Sequence, residues 1–338
     1  MTASPGPSRW RRSLPALLLM FMAPMVAEVL PGATRFSSIF VLPIEICVWG
    51  GGALLIREAV RRGGLGWGNL VLLGLGLSLA EEFLIQQTSV APMVLQLKGE
   101  VYARAFGVNY VYLLWALFYE AMLVVCVPVY LVELVFPDRR AAGWVNRGGL
   151  IAVILFFLPG AFLAWFSWTK IARPKVFHVP AYQPPLVLVL VAVLAITGLL
   201  LAALGRSRHR LAQPAKPLAA PAPWVVWLVT GLATVPWYGL VLLGFGIAPG
   251  FPPVMAVAGG LAVVAAILLT LPRWAADARW NDRHLYAAVS GAIVGSMLIG
   301  FVGFIGAAPR DFWFKVIVNL AAIALLVQLG RRVEARRR

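Results

Sequence analysis

The sequence predicts an all-α fold, a polytopic membrane helical bundle of about ten transmembrane helices with the N-terminus and the C-terminus both cytoplasmic. Three observations predict it. Of the 338 residues, 61% are hydrophobic and only 12% charged, whereas a soluble domain is nearer half apolar and about one-quarter charged. The apolar residues fall into successive runs of about 20, the length that crosses a hydrocarbon core as a helix, and a helix satisfies its own backbone there. The arginines sit in short clusters between those runs. The net charge of +16 therefore reads as membrane topology, and no nucleic-acid partner is expected.

The first run, 14–33, follows Arg9, Arg11 and Arg12 as a signal peptide would, but it lacks a clean small-residue cleavage site and is read as a helix. It carries Glu28. Four residues earlier Pro24 removes the bond to the Met20 carbonyl, which predicts a kink beside the acid. The second run, 38–59, places Glu45 and Trp49 on one face and continues into Gly50, Gly51 and Gly52. At its end Glu58 stands four residues before Arg62, the spacing of a surface ion pair.

The third run, 67–87, contains the paired acids of "LAEEFLIQQ". Gly74, Ser78, Glu82 and Gln86 follow an i, i+4 series that makes one polar stripe, with Glu81 beside it. In the fourth run, 109–136, Tyr112, Ala116 and Glu120 form a similar stripe with Tyr119 adjacent, and Glu133 is expected to pair with Arg139 or Arg140. The connection 88–108, with Gln96, Lys98, Glu100, Tyr102 and Arg104, reads as a surface loop, the alternative being a cover over the acids.

The fifth run, 148–168, ends in "WFSWTK", whose Trp165 and Trp168 suit an aromatic belt at the membrane surface. The sixth is 183–204. A Pro/Ala/Arg-rich stretch, 205–222, follows as a cytoplasmic linker. It divides a single integral membrane domain into a six-helix part, 1–204, that carries the glutamates, and a four-helix part, 223–338. The last four runs are 223–246, 251–272, 284–308 and 312–330. In the ninth, Gly291 and Gly295 are spaced for close helix packing. With the N-terminus inside, 21 of the 29 basic residues fall on the cytoplasmic side, the bias that sets membrane orientation. Cys47 and Cys126 lie singly inside apolar runs and are expected to be small buried hydrophobes.

Apart from Glu58 at the end of its run, six glutamates fall inside the runs: Glu28, Glu45, Glu81, Glu82, Glu120 and Glu133. An acid at the bilayer centre costs about 2.5–3.5 kcal/mol on insertion scales, so such residues face the protein interior or a wet cavity. Counting residues in each run's direction of travel places all but Glu133 in the outer half or near the midplane, on four neighbouring helices. Glu28, Glu45, Ser78, Glu81, Glu82, Gln86, Tyr112, Tyr119 and Glu120 thus form the candidate binding set of an outward-facing pocket. The alternative is structural, with buried carboxyls and hydroxyls joining helices.

"AEEFLIQ" resembles the first motif of the CAAX-protease and bacteriocin-processing family of intramembrane proteases, in which two glutamates precede an arginine. Glu81 and Glu82 match the acids, and Gln86 stands at the arginine position. "WNDRH" offers Trp280 and His284 for the family's later aromatic and histidine, although His284 is expected at the opposite membrane face. The first 90 residues, with "GGALLIRE", Gly66–Trp67 and the paired acids, are also similar to uncharacterised multipass bacterial membrane proteins. That resemblance implies a bacterial cytoplasmic (inner) membrane.

No HExxH, GxSxG or phosphate-loop motif occurs, and three histidines with two separated cysteines give no metal or cofactor set. The leading expectation is a transporter or binder of a small cationic or polar molecule in the lipid bilayer, coupled to protons. A glutamate-dependent intramembrane hydrolase and a structural subunit of a membrane complex are the alternatives. The orientation is directly checkable. A reporter that fluoresces only in the cytoplasm is expected to light up when fused after Arg338 and to stay dark when inserted in the 88–108 loop. The reverse pattern would refute the topology.

Overall fold

A computed structural model describes residues 9–92, 102–205, 216–242, 248 and 250–336. Ten helices follow the apolar runs. α1, Arg9–Pro24, widens into a π-turn, Met25–Val29. Then come α2, Phe36–Arg62; α3, Trp67–Ile85; α4, Tyr110–Val135; and α5, Arg147–Val176. α6 is Leu186–Leu204, α7 is Pro223–Leu242, α8 is Pro253–Ala275, α9 is Asp282–Phe304 and α10 is Pro309–Ala335. Among the described residues nine of these are long and apolar enough to cross a membrane, and the chain is a multipass membrane protein. The apolar part of α1 is shorter, Ser13–Val29. It stops before the expected 33 because Gly32, at φ +97°, turns the chain, a conformation natural to glycine. Lys315 of α10 then donates to the carbonyls of Leu30 and Pro31 at 2.8 and 3.0 Å, closing the helix end with a cation.

Strand is confined, among the described residues, to a hairpin of β1, Arg104–Ala105, and β2, Val108–Asn109. Arg104 opposes Asn109 and Ala105 opposes Val108. Phe106 and Gly107 both have positive φ, the twist that a two-residue hairpin turn requires.

α4 is the hub. Of its most apolar stretch 72% is buried, against 11% for α6 and for α8. It packs on α1, α2 and α3 and also on α7, α8, α9 and α10, so helices from both sides of the linker share one core around Val124, Val125 and Val129. Small residues set the closest approaches. A Cβ on Gly74 of α3 would lie 3.0 Å from the Ala121 Cα of α4. A Cβ on Gly50 of α2 would collide with the Met20 carbonyl, the acceptor that Pro24 leaves free. α7 and α9 make the most extensive helix pair. There Gly291 meets Thr230 and the Trp227 carbonyl, and Gly295 meets the Gly231 carbonyl, as their spacing led one to expect.

One membrane face is closed by a charged knot. Arg57 is fully buried. Its guanidinium lies 3.6 Å from the Trp144 ring centre and donates to Glu133 (3.3 Å), Glu58 (2.9 Å) and the carbonyls of Ala142, Arg139 and Arg140 (2.6, 3.3 and 2.8 Å). All five guanidinium N–H groups are thereby used. Arg61 adds a bidentate pair to Glu133 at 2.7 Å. Two expectations change here. Glu133 pairs with Arg57 and Arg61, not with Arg139 or Arg140, because the two α2 arginines are four residues apart on the stripe that faces α4. Arg140, beyond the turn that ends α4, reaches Asp282 instead. Glu58 does meet Arg62 at 3.0 Å, but as a buried acid that also accepts from Arg57 and the Trp144 N–H, not as a surface pair.

Removing one member of such a knot leaves buried acids uncompensated. Arg57→Ala is expected to cost about 3–5 kcal/mol, read as a lower melting temperature in detergent. Arg62→Ala, whose side chain is 36% exposed, is expected to cost less than about 1 kcal/mol.

Candidate functional site

The four helices that carry the acids all change winding at the same residues. α1 enters its π-turn just past Pro24 and holds Glu28 within it. Glu45 directly precedes the π-turn Ile46–Gly50 of α2. Glu81 and Glu82 open the π-turn that ends α3, closed by the Gln86 N–H on the Glu81 carbonyl at 2.9 Å. Glu120 opens the π-turn Glu120–Cys126 of α4. Single π-turns inside α-helices recur at functional sites, since the wider turn re-aims a side chain.

The five acids converge. Glu82 and Glu120 are within hydrogen-bonding reach of each other across α3 and α4. A carboxylate only accepts, so a hydrogen bond between them is available only when one of the two carries a proton. Glu28 interacts electrostatically with Glu45 and Glu81, and Glu120 with Glu81, Glu82 and Glu28. Neutral donors hold three of them. The Ser89 hydroxyl donates to Glu82 Oε2 at 2.5 Å, the Thr34 hydroxyl to Glu45 Oε1 at 2.5 Å, and the Tyr119 hydroxyl lies 3.2 Å from Glu28 Oε1 and also reaches the Ala27 carbonyl. Glu81 has neither kind of support. It is 2% exposed and both of its carboxyl oxygens are buried without a hydrogen-bond partner. One oxygen each of Glu45 and Glu120 is in the same condition.

Among the described residues no ion pair reaches any of the five, and no group of three or more His, Cys, Asp or Glu side chains is arranged to hold a metal ion. Compared with known proteins, the chain matches no family model, no curated protein and no solved structure.

The other sequence candidates divide. Tyr112 stands within electrostatic reach of Glu82, Glu120, Glu28 and Glu81. Ser78 points across to α4 and donates to the Ala116 carbonyl at 3.2 Å, joining the two stripes one turn below the acids. Gln86 is half-buried and makes no side-chain hydrogen bond to the glutamates. It caps the π-turn that ends α3, and the chain leaves the helix at the next residue, Gln87, at φ +63°. The acids are also more enclosed than an outward-facing pocket: Glu45, Glu81, Glu82 and Glu120 are each at most 5% exposed, and only Glu28 is half-buried.

Part of the loop covers them. Ser89 is buried on Glu82. Arg104 of the hairpin clamps the Val90 and Ala91 carbonyls and the Asn109 side chain, and Asn109 holds Thr88 and Ala91. Gln96, Lys98 and Glu100 lie outside the described residues. His284 stands elsewhere, stacked on Trp280 and bonded to the Pro221 carbonyl and to Asn281 at the start of α9. His178 is exposed in the α5–α6 connection, and His209 lies outside the described residues.

Sequence reasoning missed Thr34, Ser89 and Tyr238. Tyr238 of α7 meets Tyr119 edge-on at 6.1 Å between ring centres and lies within electrostatic reach of Glu28. Thr34 and Ser89 sit in connections where no periodicity marks a polar residue. Lys315 and Asp311 of α10 are buried too. Lys315 was visible as a lone cation within the last apolar run.

A buried polar group without a partner destabilises the fold by about 1–3 kcal/mol. Glu81→Leu is therefore expected to raise the melting temperature, while Ser89→Ala, which strips a donor from Glu82, lowers it. Equal losses in both variants would contradict the unpartnered state of Glu81.

Proposed function

We propose that the chain binds a small cation at the five glutamates, in exchange for protons, and that it does so as a membrane transporter or binder. The observation that carries this reading is Glu81, a carboxyl with two unpartnered oxygens among four other carboxyls and no paired cation among the described residues. Structural acids in the same molecule look different. Glu58 and Glu133 are equally buried, yet arginines answer them. Acids kept without a protein counter-charge are suited to a charge that comes and goes, either protons or a ligand cation.

The chemistry follows from the contacts. With protons on the cluster, the Glu82–Glu120 hydrogen bond forms and the site is neutral. A cation entering beside Glu81 favours the ionised carboxyls and displaces those protons. Thr34, Ser89 and Tyr119 donate to Glu45, Glu82 and Glu28 in either state, so they hold the cluster's shape while its charge changes. Glu28, the most exposed of the five, is the side from which a ligand reaches it. The enclosing 88–92 segment and hairpin exclude water, which strengthens every electrostatic interaction within.

The test is proton release. Purified protein in weakly buffered detergent is exposed to a panel of alkylammonium ions, guanidinium and polyamines, with a pH indicator and melting temperature as readouts. At least one member is expected to release protons and to stabilise the protein, by about 2.7 kcal/mol at a hundredfold excess over Kd. Glu81→Gln is expected to weaken that binding about tenfold or more, as loss of a charge-assisted contact does. If no cation releases protons, or Glu81→Gln leaves binding unchanged, the reading fails.

A further inference from the structure

Behind Tyr119, on the side away from Glu28, lies a cavity of about 380 Å³ between α4, α7, α8 and α9. Along α4 its wall runs from Phe118 to Tyr130, and along α8 from Val263 to Ala275. Twelve residues of helix cover about 18 Å, close to half of a hydrocarbon core about 30 Å thick. The slot is therefore one leaflet deep. Its walls ask for hydrocarbon, because the hydroxyls of Thr230 and Thr234 bond back to carbonyls of their own helix. An apolar cavity of this kind takes apolar guests rather than water.

Tyr130 and Leu285 also line a second cavity of about 330 Å³, at the arginine-rich face, whose wall includes Arg61, Arg140 and Glu133. Two arginines face one glutamate there, and that glutamate is already held by Arg57 and Arg61. Arg140 uses its two terminal nitrogens on Asp282, while its Nε–H is buried without a partner. Trp67 and Trp280 line the apolar slot, and tryptophan is favoured at the level of lipid headgroups. A hydrocarbon slot one leaflet deep, beside a pocket walled by Arg61 and Arg140 at the arginine-rich face, has the layout of a phospholipid.

We propose that the two cavities together hold one anionic glycerophospholipid, its phosphate at Arg61 and Arg140 and one acyl chain in the slot beneath Tyr119. Basic pockets between transmembrane helices on an arginine-rich face recognise such headgroups. The site stands apart from the glutamates and does not rest on the proposed cation binding.

The experiment reconstitutes full-length protein into phosphatidylcholine vesicles containing equal fractions of phosphatidylglycerol and phosphatidylethanolamine, extracts it mildly, and counts retained lipids by native mass spectrometry. Wild type is expected to keep one phosphatidylglycerol in preference to phosphatidylethanolamine. Arg140→Gln is expected to lower that retention about tenfold, as loss of charge-assisted hydrogen bonds does. Ala292→Phe, which narrows the slot about two turns of α9 beyond Leu285, is expected to lower it with the lipid-free melting temperature unchanged, and it decides alone if Arg140→Gln does not fold. Glu81→Gln is expected to retain the lipid, which separates this site from the acidic one. Equal retention of phosphatidylethanolamine, a melting-temperature rise from inorganic phosphate alone as large as that from phosphatidylglycerol, or undiminished retention in the folded variants would overturn the proposal.

Discussion

Hydrocarbon gives a charged or polar group no water to fall back on, so each one inside the bundle must be answered by the protein or remain unanswered at a cost. This molecule contains both outcomes. At the arginine-rich face every guanidinium hydrogen of Arg57 finds an acceptor, and α2, α4 and the segment after α4 are fastened together by the result. Toward the other face Glu81 finds nothing. The first arrangement fixes the helices at one level. The second concentrates unmet charge at another, and the difference separates scaffold from candidate site.

α4 connects the two. It carries Glu133 into the arginine knot and Glu120 into the acidic cluster, and its Tyr119 separates that cluster from the apolar slot. Close packing at Gly50 and Gly74 brings α1 to α2 and α3 to α4 within the turns that hold the acids. Neutral hydroxyls from Thr34, Ser89 and Tyr119 supply hydrogen bonds to the acids there.

Much of this was legible from the chain. Run lengths located the helices, and direction of travel placed Glu28, Glu45, Glu81, Glu82 and Glu120 at a common depth. The structure brings these same five together. What escaped was of three kinds. Partner choice escaped because it is decided by which helix faces which: Glu133 is nearer in sequence to Arg139 and Arg140 yet joins Arg57 and Arg61. Local winding escaped because a stripe drawn at i, i+4 assumes 3.6 residues per turn and gives no sign that α3 widens at Glu81. The apolar slot escaped for a third reason. A cavity is a property of four helices that fail to meet, and no single run records it.

The π-turns have a consequence for the bundle as a whole. In α2 and α4 the π-turn inserts a residue into a helix that continues past it, which turns everything beyond by about 100° around the axis. In α2 and α4 the side chains above and below the acids therefore belong to different faces, so each helix presents one pattern of neighbours on one side of that level and another on the far side. The plane of the glutamates is thus a splice between two packing registers. The two sides of that level can each be packed by their own rules, with the change of register in α2 and α4 falling at the charges.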